Sequence, residues 1–141
     1  MEIDLAQRRR DAENDRKRNW DQGLVEAAIA VHRELGPGLL ETVYEVVLAR
    51  ELQDRGLKVD RQVPVKIVFK GIKFDEGFRA DIIVEGKVIL ELKSIERATA
   101  AHRKQVQTYL RLMGCKLGYL LNFGEPLMKD GITRCVNGLE E

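Results

Sequence analysis

Glu91 and Lys93 close the stretch FRADIIVEGKVILELKS (residues 78–94), in which two apolar runs flank a Gly-containing turn. Side chains alternate along a strand, so Ile89, Glu91 and Lys93 share one side of VILELKS and Val88, Leu90 and Leu92 the other. A carboxylate two residues from an ammonium on one face can serve phosphodiester hydrolysis. The carboxylate can hold a divalent cation through oxygen, as hard cations require. The ammonium can orient an attacking water or offset developing charge.

Glu-x-Lys alone is a weak signal. Glu85-Gly86-Lys87 repeats it inside the turn, and Asp15-Arg16-Lys17 approximates it near the N-terminus. The 91–93 copy differs in following a strongly apolar strand and in having an acidic neighbour, Asp81. A three-residue loop, Glu85 to Lys87, places Asp81 opposite Glu91. A two-residue type I′ turn at Glu85-Gly86 shifts the pairing by one, and the faces disagree. Both loops fit the sequence. A cross-strand Asp–Glu pair costs stability without a compensating cation, which points to a metal. Equally, Lys93 and Arg79 could neutralise both acids at a sheet end.

A third acid, Glu41, interrupts an apolar helical stretch in GPGLLETVY. In a first helical turn it would also interact well with the helix dipole. Tyr44 lies one turn on and faces the same way; as a core residue it would bring its hydroxyl to the edge. In TAAHRKQVQTYLRL, Gln105 and Tyr109 are spaced i, i+4, and His102 lies three residues before Gln105 on the same stripe. Five basic residues against one acid give Ile95–Lys116 a net charge of +4, compared with +1 for the whole chain. A locally basic, partly aromatic helix beside a metal site would suit a phosphate backbone, whereas one standing alone reads as a solvated amphipathic helix.

The elements that must carry these residues follow from periodicity. Leu24, Ala28, Val31 and Leu35 predict a helix over about residues 21–35, stopped by Gly36-Pro37. A second helix over about 39–55 is apolar on much of its circumference (Leu40, Val43, Val46, Val47, Leu48, Leu52) and is expected between layers. LKVDRQVPVKIVF alternates as a long or bulged strand, with Pro64 favouring an edge or a break. KGIKF adds a turn and a short strand. The hairpin strands run about 78–84 and 87–93, a helix about 98–113, and KLGYLLNF and GITRCV close the order α-α-β-β-β-β-α-β-β. A helix between the hairpin and a later strand fits a crossover connection. The fold class is α/β with a mixed sheet.

The chain's 141 residues suit one domain. Residues 1–19 read as a charged tail or frayed helix, since Arg8-Arg9-Arg10 is offset by Asp11, Glu13 and Asp15, and residues 20–141 as the domain. No apolar stretch approaches the ~20 residues of a membrane span, so no membrane partner is expected. Cys115 and Cys135 form no CxxC pair and predict neither a zinc site nor an iron–sulphur cluster; a reducing cytoplasm is the expected setting.

Taken together, Gly38, Glu41 and Tyr44 in GLLETVY, then FRADIIV…VILELKS, then HRKQVQTYL resemble the GxxExxY family, a branch of the PD-(D/E)xK nuclease superfamily. The likeness spans about residues 22–137, and the three blocks together are far more specific than any one. It implies a restriction-endonuclease-like core, a mixed sheet flanked by helices. It implies Glu41, Asp81 and Glu91 as Mg²⁺ or Mn²⁺ ligands, with the backbone carbonyl of Leu92 a further one. It implies Lys93 as the residue that positions the nucleophilic water. Gln105 and Tyr109 resemble the Gln-x-x-x-Tyr element of RecB-like nucleases, which helps hold the site and the substrate strand. His102 and Arg79 would support the site or contact phosphate. One departure is Ala80, where the pattern has Pro before Asp81; it removes no ligand.

Two functions compete on these residues. One is a metal-dependent nuclease whose partner is nucleic acid, with DNA expected over RNA. The other is a catalytically inactive nuclease-fold module that binds nucleic acid or a protein; the near-neutral charge and the absence of a recognisable target-recognition part favour it. A purely structural domain accounts for the charge pairs but not for three acids, a Lys and a Gln/Tyr pair in this order. One small site cuts one strand, so a homodimer is compatible with the nuclease.

Overall fold

The structure is a computed structural model. It describes residues 5–138, without the side chains of Gln7 and residues 10–21. Of the charged segment 1–19, residues 1–4 and those side chains lie outside the described residues.

Helix α1 (Leu5–Leu35) is longer than the apolar period of residues 21–35. Among the described residues its buried apolar side chains are Leu24, Ala27, Ala28 and Val31. Gly36-Pro37 ends it, and the Gly36 N–H still reaches the His32 carbonyl at 2.7 Å. Helix α2 (Glu41–Asp54) buries Tyr44, Glu45, Leu48, Ala49 and Leu52. The expectation that it is buried on most sides is corrected. Leu40 is 77% exposed, and Val43 and Val46 are exposed too, because among the described residues α2 packs on α1 and the sheet through the flank of Tyr44, Leu48 and Leu52.

Five strands form the main sheet in the order β1-β4-β5-β6-β7. They are β1 (Val59–Pro64), β4 (Arg79–Val84), β5 (Val88–Lys93), β6 (Leu117–Asn122) and β7 (Ile132–Val136). The β5–β6 pair is parallel and the other pairs antiparallel. Helix α3 (Ala100–Met113) makes the crossover between β5 and β6, as parallel neighbours require. The expected long strand breaks after Pro64, which sits at the end of edge strand β1. Its second half, β2 (Ile67–Phe69), pairs instead with β3 (Ile72–Phe74) as a separate ribbon.

Strand alternation sends two sets of side chains to two layers. Ile82, Val84, Val88, Leu90 and Leu92 pack with α1 and α2. Ile83 and Ile89 pack with Val106, Tyr109 and Leu110 of α3. Each such buried aliphatic contributes about 1.5–3 kcal/mol. A mixed sheet flanked by helices on both faces is the expected α/β restriction-endonuclease-like architecture.

Candidate active site

The register of the β4–β5 hairpin positions the two strand acids. Glu85 (φ 55°) and Gly86 (φ 64°) both have positive φ, as a type I′ turn demands, and the Lys87 N–H donates to the Val84 carbonyl at 3.0 Å. Yet Val84 pairs with Val88, Ile83 with Ile89 and Ile82 with Leu90. Lys87 is therefore an extra residue, and the loop takes three. The energetic cost of a left-handed non-glycine at Glu85 is offset by two bonds to β1's approach. Its N–H donates to the Lys58 carbonyl at 2.8 Å, and its carboxylate accepts from the Lys58 N–H at 3.0 Å. The second Glu-x-Lys copy thus fastens a turn.

The same register continued by one step brings Asp81 across from Glu91. Here side chains take over from the ladder. The Asp81 N–H donates to Glu91 Oε1 at 3.0 Å, and the Leu92 N–H donates to Asp81 Oδ2 at 2.9 Å. The carboxylates lie together on the α3 side, where Glu91 is only 4% exposed. Burial pushes the Glu91 carboxyl up to about 8, and the charge of Asp81 adds to the rise. Asp81 is raised as well, chiefly by burial, against the opposing bond from Leu92. Lys93, half-buried two residues on, pulls both back. The pair is short of positive charge, and its donors are hard oxygens.

Helix α3 closes over this pair. Tyr109 is buried, and burial followed by the charge of Glu91 raises its hydroxyl. Gln105 Nε2 donates to the Tyr109 hydroxyl at 2.9 Å, which holds the i, i+4 pair as one unit. His102 caps the start of this helix. It is the third residue of α3, and its Nδ1 accepts the Thr99 backbone N–H at 2.9 Å. That reproduces the reciprocal half of a capping box with an imidazole in place of Glu. Arg79 is exposed, and its guanidinium donates to the Gln62 carbonyl at 3.3 Å. Arg103, Lys104 and Arg111 lie on the solvent side of α3.

Three residues that periodicity did not single out support the pair from the β1 side. Gln62 holds φ at 51°, a left-handed conformation in a non-glycine residue. Its Nε2 donates to Glu45 Oε1 at 2.5 Å and lies 3.4 Å from Asp81 Oδ1. Glu45 is buried and accepts both Arg61 Nε and Nη2, at 3.0 and 2.6 Å. Glu45 had a readable signal, being a second acid in an apolar helix one turn beyond Glu41. Gln62 had none, because nothing local announces its backbone.

Glu41 stands at the first turn of α2, exposed, with Oε1 3.4 Å from the Ser94 N–H. Its placement depends on the connection 36–40. The Tyr44 hydroxyl donates to the Gly36 carbonyl at 2.5 Å and accepts the Leu39 N–H at 3.1 Å, across Pro37 and Gly38 (φ 99°). The Tyr44 ring stacks on Phe123, 4.4 Å between centroids. Gly38 and Tyr44 therefore shape the loop that presents Glu41. From the other side, Asn122 Oδ1 accepts the Ile95 and Gly124 N–H groups at 3.1 and 3.0 Å. A Cβ on Gly124 would fall 2.1 Å from the Ile95 carbonyl oxygen, so only glycine admits this contact at the exit of β5.

Asp81, Glu91 and Lys93 are thus brought together with Gln105 and Tyr109, and Glu41 borders them at Ser94. Among the described residues, no three His, Cys, Asp or Glu side chains converge as a metal-binding group. The donors that fit a hard cation are the two strand carboxylates, whose mutual repulsion it would relieve.

A family model of the PD-(D/E)XK nuclease superfamily matches residues 18–135. Among curated proteins and among solved structures, none matches significantly. The matched stretch contains both carboxylates, the lysine and every strand of the sheet but for the last residue of β7, and the chain belongs to the PD-(D/E)XK nuclease superfamily.

Proposed function

We propose that the chain is a divalent-cation-dependent nuclease of the GxxExxY type, acting on DNA. The observation that carries this reading is the Asp81–Glu91 pair, crosslinked through backbone amides on one side of the sheet, with Lys93 two residues along. Superfamily membership supports nucleolytic chemistry in general. Asp81, Glu91 and the Leu92 carbonyl would hold Mg²⁺ or Mn²⁺, with Glu41 reaching in from the Ser94 side. Such an ion supplies electrophilic charge and a more acidic bound water. Lys93 orients the attacking water and offsets charge on the phosphate. Gln105 fixes the Tyr109 hydroxyl against the acids, while Arg79 and the basic face of α3 serve the phosphate backbone. Residues 20–141 act as the nuclease domain and 1–19 as a charged extension; a cytoplasmic protein, acting alone or as a homodimer, accords with this.

The test is cleavage of linear, nicked and single-stranded DNA and of RNA with Mn²⁺ or Mg²⁺, alongside calorimetric titration of the cation. Asp81→Asn and Lys93→Ala are each expected to lower cleavage by about 10²–10³ or more, with circular dichroism unchanged. Asn is preferred to Ala at 81 because its amide oxygen can still accept the Leu92 N–H. No cleavage of any substrate and no cation binding would sink the proposal. The binding-module reading is favoured by one observation, that Glu41 stands at Ser94 and, among the described residues, no third acid joins the pair in a metal-binding group. Strand binding that survives Asp81→Asn, in a protein whose parent never cuts, would select it.

A further inference from the structure

The β2–β3 hairpin is the one strand pair outside the main sheet among the described residues. Its register pairs Ile67 with Phe74 and Phe69 with Ile72, so these four side chains share a face. Phe69 is 62% exposed, Ile72 59% and Phe74 39%. A lone two-stranded ribbon is marginally stable in water, and an apolar face on one ordinarily meets a ligand.

Charge indicates which ligand. Lys66, Lys70 and Lys73 lie in this segment, and no acid occurs from Arg61 to Phe74, while Asp75 and Glu76 follow, exposed, at its base. Lys70 Nζ stands 5.5 Å from the centroid of the Phe69 ring. Position indicates the same. The ribbon extends β1 and β4 beyond Pro64 and Arg79, the end of the sheet that holds Asp81. The Val65 N–H closes its base on the Phe78 carbonyl at 2.9 Å. Phe78, exposed like the ribbon's rings, lies 5.7 Å from Tyr109 between ring centroids, and Tyr109 faces Glu91.

Exposed aromatic rings beside lysines are what hold an unpaired nucleic-acid strand, since bases stack on the rings while ammonium groups follow phosphates. A duplex keeps its bases stacked internally and offers the rings nothing. A purely apolar protein partner would leave three lysines without a role. We propose that the β2–β3 hairpin is a strand-holding arm that binds an unpaired segment of nucleic acid and leads it past Phe78 to the carboxylate pair. This rests on reading that pair as a nuclease site and adds the substrate class, an unpaired strand.

The test uses the Asp81→Asn protein and fluorescence anisotropy with labelled oligo-dT, oligo-U and a blunt DNA duplex. Tighter binding of an unpaired strand than of the duplex is expected, and the preferred oligonucleotide distinguishes DNA from RNA. Adding Phe69→Ala and Phe74→Ala is expected to weaken the unpaired strand by about tenfold or more, with duplex affinity and the thermal midpoint unchanged. Equal affinity for the unpaired strand in this variant, or a parent that prefers duplex, overturns the proposal. So does a variant whose sole change is lost self-association in light scattering, which assigns the face to a second copy. Failure of the nuclease reading is separate: the unsubstituted protein would neither cleave nor bind Mn²⁺, whatever the hairpin variants do.

Discussion

The β4–β5 and β2–β3 hairpins are both short, apolar and antiparallel, yet their surroundings are opposite. Every residue of β5 from Val88 to Leu92 is buried, while all of β3 is exposed. The buried hairpin has layers of helix on both faces, and its few polar side chains must satisfy one another. The exposed ribbon has water on its apolar face, and its lysines need no partner. Burial therefore holds both members of a carboxylate pair above their ordinary range in one hairpin. Exposure turns aliphatic and aromatic residues into a contact surface in the other.

Three measurements test this contrast. The largest difference is expected in packing. Ile89→Ala, at a fully buried position of β5, should cost about 2–5 kcal/mol. Ile72→Ala on the exposed ribbon should change stability by about 0.5 kcal/mol or less. Urea unfolding of both variants measures the gap, and similar values would show that the ribbon is covered in solution.

The second concerns pH. Glu91 is raised in the folded protein from 4.5 to about 8. Between those values the folded state binds a proton that the unfolded chain has released. Metal-free stability therefore falls as pH rises through that window and levels off above it. The thermal midpoint of the metal-free protein is expected to drop by several degrees from pH 5 to pH 8. Mn²⁺ should restore more of it at pH 8 than at pH 5. In Glu91→Gln the slope should flatten, and a slope unchanged by this substitution would refute the assignment.

The smallest effect concerns backbone strain at Gln62. Gln62→Gly and Gln62→Ala both delete the amide that spans Glu45 and Asp81. Only glycine accepts φ near 51° without cost. The Gly variant should be more stable than the Ala variant by about 1 kcal/mol, while both weaken Mn²⁺ binding alike. Equal stabilities would mean that the backbone relaxes once the side chain is gone.

What could be read from the sequence divides along the same physical line. Alternation in VILELKS assigned Glu91 and Lys93 to a face correctly, because a strand buried on both sides leaves each side chain one place to go. The register was open between two loops. It was decided by Lys58, 27 residues before Glu85, through a long-range contact that no local pattern encodes. Leu40, Val43 and Val46 misled because apolar character states a preference for burial, whereas among the described residues α2 packs through one flank. Gln62 was invisible for a related reason: its backbone is bent by tertiary partners, and its own residue type resists that bend. His102 lay on the predicted stripe, but it sits where the helix starts, and the cap claimed its Nδ1.

The crosslinks between Asp81 and Glu91 also have a kinetic meaning. Two amide protons, of Asp81 and Leu92, depend on side-chain oxygens and not on a strand partner. Their protection from exchange is therefore set by the charge and position of the carboxylates. A cation bound as proposed would redistribute those lone pairs and so change how often this end of the β4–β5 hairpin opens. Occupancy of the site and local breathing of the sheet would then be one equilibrium, readable at two backbone positions without any substrate.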